Sequence, residues 1–265
     1  MSQRIFITGS GGIVGRHAMA ALAELAPDAV VIRNTADLTK PDEIAQVINT
    51  AGPLDLVIHL AAMAPVKAVQ GDPGGAFAVN AGGTINLLAA LGNTHARMLL
   101  CSSSHVYASK ETPIFETDTI EPVSLYGQTK RMAELAAQQI CAATGRSLCI
   151  ARLFSIHDPE QSGSYLRPTL VTRLKTAVPE APFDLYGAGS RRDFLPAAQA
   201  ARLIVELALS DAEGPVNVGS GCAMTVADFA QSLAPFPLNI RPLGQNDTLE
   251  ADVTRLRAIL GERHD

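Results

Sequence analysis

The sequence predicts an α/β fold, a doubly wound parallel sheet carrying a small C-terminal substrate lobe. Three observations predict it. Short apolar runs alternate with helical runs from Arg4 to Arg152, the βαβ pattern of a parallel sheet with right-handed crossovers. The first apolar run passes directly into a glycine-rich turn and a helix, the arrangement that binds phosphate. After about residue 153, prolines at 159, 168, 179, 182 and 196 and glycines at 163, 187, 189, 214, 219 and 221 cut the chain into short pieces. The expected division is therefore a nucleotide-binding domain over 1–153 and a lobe over 154–265. Residues of about 196–220 are expected to return to the first domain, and the lobe to close over the carboxyl edge of the sheet.

Composition narrows the function. With 47% hydrophobic and 18% charged residues, the chain has the make-up of a soluble globular enzyme. A net charge of -5 argues against a nucleic-acid partner. No membrane partner is expected, because no run is read as approaching the roughly 18 apolar residues of a span. The amino terminus enters Arg4-Ile5-Phe6-Ile7-Thr8 without a signal-peptide layout. Cys101, Cys141, Cys149 and Cys222 are scattered and lack metal-ligand spacing. They are expected to be small core residues of a reduced, cytoplasmic protein with no metal.

The elements follow in order. Ile5 to Thr8 reads as a buried strand running into Gly9-Ser10-Gly11-Gly12-Ile13-Val14-Gly15 and a helix to about Ala26. Glycines at 9, 12 and 15 permit a tight turn, close approach to a diphosphate, and close helix–strand packing, the Rossmann-type signature. Ala29 to Ile32 is the next strand and ends at Arg33. An acid at that tip would hold the 2′-hydroxyl of NAD, whereas a cation suits the 2′-phosphate of NADP. Asp37 and Leu38 follow; Asp37 either borders the adenine or caps the helix from about Asp42. Leu54 to Leu60 is a third strand, ending in Ala61-Ala62, where small side chains let a cofactor cross.

A helix over about 73–91 carries Asn80, Gly82 and Gly83, poor helix choices unless the helix packs tightly and Asn80 bonds buried backbone. Met98 to Cys101 is a fourth strand. It delivers Ser102, Ser103, Ser104 and His105 to the sheet edge where such folds bind ligands. A helix of about 123–143 begins with Tyr126-Gly127-Gln128-Thr129-Lys130, and a strand follows at 148–152. Tyr126 and Lys130 are four residues apart and share a helix face. An ammonium beside the phenol would lower its pKa from about 10, equipping it to pass a proton. Helices are expected at 197–209, 226–233 and about 253–260.

Taken together, these motifs resemble the extended short-chain dehydrogenase/reductase family, in its nucleotide-sugar-modifying branch. The resemblance rests on Thr8-Gly9-x-x-Gly12-x-x-Gly15, Ala61-Ala62, Asn80 in Val-Asn-Ala-Gly-Gly-Thr, Ser103 before Val106-Tyr107, and Tyr126-x-x-x-Lys130. Arg152-Leu153-Phe154 and Arg192-Asp193-Phe194 complete it. It implies that Tyr126 is the general acid/base, that Lys130 holds the nicotinamide ribose and lowers the phenol pKa, and that Ser103 polarises a carbonyl. Ser103 is selected because the family's hydroxyl lies four residues before the tyrosine of its Val-Tyr pair; Ser102 is expected to satisfy strand-end backbone. The implied cofactor site comprises Gly9, Gly11, Gly12, Ile13, Gly15, Arg33, Asp37, Leu38, Leu60, Ala61, Ala62, Asn80, Cys101, Tyr126, Lys130 and Phe154. The implied substrate site comprises Ser103, Ser104, His105, Tyr126, Ser155, Tyr165 and Arg192, with Arg192 gripping a nucleotide diphosphate.

Within the family, Arg33 resembles the tip of reductases such as GDP-fucose synthase, which use NADPH. A reductase of a nucleotide-linked 4-keto-6-deoxy sugar is thus the leading expectation, with NADP as cofactor and NAD as the other possibility. Two further readings stay open: an NAD-retaining epimerase or dehydratase, and a non-catalytic NADP sensor. The sequence departs from the family at Ser155, where an asparagine is usual, at His157, where a tyrosine is usual, and after Phe194. Relatives dimerise through the helices corresponding to about 73–91 and 123–143, so a homodimer is expected.

Overall fold

A computed structural model describes residues 2–261. Its elements run β1 (Arg4–Thr8), α1 (Ile13–Leu25), β2 (Val30–Arg33), α2 (Pro41–Ala51), β3 (Leu56–His59), α3 (Val66–Gly71), α4 (Pro73–Phe77), α5 (Gly83–Leu91), β4 (Arg97–Ser103), α6 (Leu125–Thr144), β5 (Leu148–Leu153) and β6 (Ser155–His157). They continue α7 (Leu166–Leu174), β7 (Pro182–Tyr186), β8 (Arg191–Arg192), β9 (Phe194–Pro196), α8 (Ala197–Leu209), β10 (Gly214–Val218), β11 (Met224–Thr225), α9 (Val226–Leu233), β12 (Asn239–Leu243), β13 (Thr248–Leu249) and α10 (Thr254–Leu260).

The main sheet has six strands in the order β10-β5-β4-β3-β1-β2, and every pairing is parallel. Strand alternation assigns its residues to two cores. Ile5, Ile7, Leu56, Ile58, Leu99 and Cys101 pack with α1 and α8 on one face. Phe6, Val57, Met98 and Leu100 pack with α2, α5 and α6 on the other. The chain leaves β1 for β2 on one side and crosses to β3 on the other, so the strand order reverses between β1 and β3. At such a reversal the strand ends part and leave a crevice for ligands.

The late segments divide their allegiance. Helix α8 lies against α1, and β10 extends the main sheet beyond β5. The remaining pieces form small sheets, β12-β7, β6-β9 and β11-β8-β13. They enclose a third core of Leu170, Leu174, Phe183, Leu185, Val226 and Phe229, where Phe194 stacks on Phe229 at a centroid distance of 4.1 Å.

Two expectations need correction. The helical run Pro73–Leu91 is, by length and composition, long and apolar enough to cross a membrane, contrary to expectation. In this fold it packs against α2 and α6 and is interrupted by a π-helical turn at Ala78–Gly82. Of the four cysteines, Cys101, Cys141 and Cys149 are buried as expected, whereas Cys222 is exposed on a lobe turn.

Candidate active site

A cleft of about 650 Å³ runs from the head of α1, across the carboxyl ends of the sheet strands, to the lobe. At one end lie Gly9, Gly12, Ile13 and Gly15. Gly9 adopts φ +71°, and a Cβ there would sit 2.6 Å from the Ala61 nitrogen. A Cβ on Gly15 would fall 2.0 Å from the Gly9 carbonyl oxygen. The loop therefore exists only with glycines, folded back against both the helix and the end of β3. Helix α1 begins at Gly12 with no side-chain cap and no acid in its first turn, so its N–H groups and positive dipole end face the cleft uncompensated. These residues fit a dinucleotide diphosphate.

At the middle of the cleft, β4 ends in Ser103 and a short 3₁₀ turn, Ser104–Val106, follows. Helix α6 starts opposite, capped by the Ser124 hydroxyl, which accepts from the Gly127 N–H at 3.0 Å. Gly127 explains how the two meet, because a Cβ there would lie 2.1 Å from the His105 carbonyl oxygen. This contact presses the first turn of α6 onto β4's exit. The Ser103 hydroxyl then hydrogen-bonds the Tyr126 phenol and accepts from the His105 N–H at 3.2 Å. The His105 ring meets Tyr126 edge-on at 5.6 Å.

The electrostatics differ from the sequence expectation. Burial pushes the Tyr126 phenol above its ordinary value, the Cys101 thiol adds to the shift, and the Ser103 hydrogen bond opposes it. Lys130 is not among the influences on the phenol, so the expected lowering by its ammonium is absent from the protein alone. Burial also lowers Lys130 itself, against the pull of Cys101 and Glu134. Lys130 is only 4% exposed yet lines the cleft, one turn along α6 from Tyr126.

Leu60, Ala62, Cys101, Phe154, Ser104, His105, Ser155, Tyr165 and Arg192 also line the cleft. Four expected cofactor residues are engaged elsewhere. Asn80 is buried and committed to the scaffold, accepting from the Met63 N–H at 2.7 Å and donating to the Met63 carbonyl at 3.0 Å and the Thr129 hydroxyl at 2.8 Å. Leu38 is buried beneath Gly83. Asp37 forms a turn, accepting from the Thr39 N–H at 2.9 Å and hydroxyl at 2.8 Å, and is not the cap of α2. Ala61 donates its N–H to Thr8 and packs under Gly9. Arg33 stands exposed at the end of β2 with no acid on that strand. Ser102 was expected to serve strand-end backbone; its buried hydroxyl has no hydrogen-bond partner among the described residues.

At the lobe end, Arg192 makes a two-pronged ion pair with Asp247, at 2.7 and 2.8 Å. Asp247 also accepts from the Ser190 hydroxyl at 2.8 Å. The carboxyl is held below its ordinary range by these bonds, against the opposing effect of burial. Burial and the Arg192 charge lower the His105 imidazole below its ordinary value, against the opposing pull of Asp247. The sequence reading missed Asp247, because an isolated acid in a Gly/Asn-rich segment carries no motif. It also missed Glu134, a further turn along the Lys130 face. Glu134 is fully buried and binds Arg152 through two bonds of 3.0 Å.

A parallel sheet with a glycine loop at its strand reversal, and a tyrosine–lysine helix facing a strand-end serine, defines an NAD(P)-dependent oxidoreductase of the short-chain dehydrogenase/reductase type. The model of the NAD dependent epimerase/dehydratase family matches residues 5–219, and the chain belongs to that family. GDP-6-deoxy-D-mannose reductase of Pseudomonas aeruginosa is 30% identical over 245 residues, covering 88% of this chain and 80% of the relative. dTDP-4-dehydrorhamnose reductase of Burkholderia thailandensis is 33% identical over 137 residues, 51% of this chain and 46% of the relative. Among solved structures, RMD from Pseudomonas aeruginosa complexed with NADPH superposes with a TM-score of 0.86 at 25% identity, covering 98% of this chain and 93% of that one. UDP-glucose 4-epimerase from Thermus thermophilus, complexed with NAD, gives 0.81 at 22% identity, covering 97% and 92%, a likeness of fold.

Proposed function

We propose that the protein is an NADPH-dependent reductase of a nucleotide-linked 4-keto-6-deoxy sugar. The observation that carries the reading is Arg33, a cation exposed at the strand tip where a family member selective for NAD would place an acid. The similarity to a GDP-6-deoxy-D-mannose reductase over most of both chains supports it, as does the likeness to a structure holding NADPH.

The residues divide the work as follows. Gly9 and Gly12 with the α1 amino terminus hold the cofactor diphosphate, Arg33 its 2′-phosphate, and Lys130 its nicotinamide ribose. When bound, the reduced cofactor supplies a hydride. Ser103 and Tyr126 converge on one point in the cleft and there hold the ketone oxygen. Tyr126, kept protonated by burial, gives its proton to that oxygen as charge develops. The Ser103 hydrogen bond then stabilises the phenolate until it is reprotonated. A phenol held above its ordinary value is in the protonated state from which a proton donor must start. Arg192 grips the substrate diphosphate, exchanging Asp247 for phosphate.

The dinucleotide preference and the turnover test this together. Thermal stability of the purified protein should rise with NADPH at concentrations well below those of NADH that give the same shift. NADPH oxidation, followed by absorbance, should begin on addition of nucleoside-diphosphate-linked 4-keto-6-deoxy hexoses. Equal or reversed dinucleotide preference would remove the basis of the reading.

We further infer a homodimer built on α5 and α6. Ile85 on α5 and Met132 and Leu135 on α6 are exposed large apolar side chains on these two contacting helices, the surface a four-helix bundle would cover.

A further inference from the structure

His59 is the last residue of β3 and is 1% exposed. No part of the proposed chemistry uses it, yet its hydrogen bonds join the two ends of the site. Its Nε2 lies 3.0 Å from the Thr84 hydroxyl. That hydroxyl donates its single hydrogen to the Asn80 carbonyl at 2.7 Å, so towards His59 it can only accept. Nε2 therefore carries a hydrogen. Nδ1 lies 2.6 Å from the Thr8 hydroxyl, which itself accepts from the Ala61 N–H at 3.2 Å. With the imidazole neutral, Nδ1 is bare and Thr8 donates to it. Neutrality follows from burial, with the charge of Lys130 acting in the same direction, and the imidazole pKa falls to about 3.

The chain of bonds has one direction throughout and reaches further on both sides. On the Thr8 side it grips Ala61, the residue against which Gly9 folds with no room for a Cβ. On the Thr84 side it satisfies the Asn80 carbonyl within the π-helical turn Ala78–Gly82. Asn80 in turn donates to Thr129 at 2.8 Å, and Thr129 donates to the Tyr126 carbonyl at 2.8 Å. Helical wide turns of this kind recur at functional sites, and a buried chain with every member satisfied holds a single geometry.

We propose that His59, as its neutral Nε2–H tautomer, is a positioning residue that locks the glycine loop to the Asn80 turn and thereby fixes the diphosphate end of the cleft relative to Tyr126 and Lys130. The proposal rests on the dinucleotide reading of the cleft and not on the identity of the sugar. An apolar residue of similar size would fill the space but strand the hydroxyl of Thr8 in the core, leaving the loop free to shift against β3.

Two measurements test it. Nitrogen-15 NMR of the histidine-labelled wild-type protein near neutral pH should give one buried imidazole with a protonated Nε2 and an unprotonated Nδ1. An imidazolium or an Nδ1–H tautomer would overturn the assignment. NADPH titration by fluorescence should show His59→Leu weakening binding about tenfold, and the accompanying turnover assay should show kcat on a keto-sugar lowered about a hundredfold with KM for the sugar little changed, as a slight misplacement of reacting groups does. His59→Gln, whose amide can donate towards Thr84, should recover part of both losses. A His59→Leu protein that melts earlier but binds NADPH and turns over like the wild type would show a merely structural histidine and defeat the proposal. If the wild type reduces no keto-sugar, the functional reading fails, while the NMR tautomer and the NADPH titration still decide the role of His59.

Discussion

In the proposed reduction Tyr126 gives the proton, and Ser103 is its direct hydrogen-bond partner. Tyr126→Phe should lower kcat by about 10²–10⁴-fold while leaving NADPH binding, read by fluorescence, near the wild-type level. Because the phenol titrates above its ordinary value, kcat for reduction should stay level through pH ~9 instead of falling as a donor lowered by Lys130 would. Asp247 pairs with the Arg192 guanidinium that the proposed substrate diphosphate would use. Asp247→Asn should therefore tighten binding of a nucleoside diphosphate, measured by calorimetry, by about tenfold at low salt. His59 sets an acid limit. Its folded-state pKa of about 3 lies below the ordinary imidazole value of 6.5, so the unfolded chain binds the extra proton between those values. The contribution is complete above about pH 6.5 and is lost towards about pH 3 at up to about 1.4 kcal/mol per pH unit. Urea midpoints measured from about pH 7 to about pH 4 should fall with that slope, and His59→Leu should flatten it.

At the level of elements, Gly127 governs the seating of α6 on the exit of β4. Gly127→Ala would drive a methyl into the His105 carbonyl. It should cost about 1–3 kcal/mol of stability by denaturant unfolding, with a loss of kcat larger than that stability loss alone explains, since Tyr126 moves with the helix. Most elements could be read from the sequence because their signals were local. The β1–glycine–α1 unit, the Ser103 strand end and the Tyr126 helix each carry residue types that little else explains. Residues bound by distant partners gave no such signal. The Thr8–His59–Thr84 chain links residues 51 and 25 positions apart, and a histidine inside an apolar strand shows no periodicity to mark it. The direction of the Tyr126 shift was misread for a related reason, since a four-residue spacing reports neighbourhood but not how deeply the pair is buried.

Over the whole molecule, the exposed Ile85, Met132 and Leu135 predict a dimer in sedimentation at micromolar concentration, and Leu135→Glu should yield a folded monomer. The expected architecture of sheet and lobe matches the observed layers. The sequence could not show that β2 feeds straight into a crossing to β3, because strand order depends on which edges pair and not on the runs themselves. One consequence lies in the assembly of the chain over time. Strand β5 ends at Leu153, but its outer neighbour β10 begins only at Gly214, and α8, the partner of α1, ends at Leu209. A chain emerging from the ribosome therefore holds α1's apolar stripe and β5's outer edge bare while most of the lobe is still being made. Closing such a distant pairing is slow, and an open strand edge is a template for neighbouring chains. Recovery at high expression should therefore depend on chaperone supply more than equilibrium stability alone would suggest.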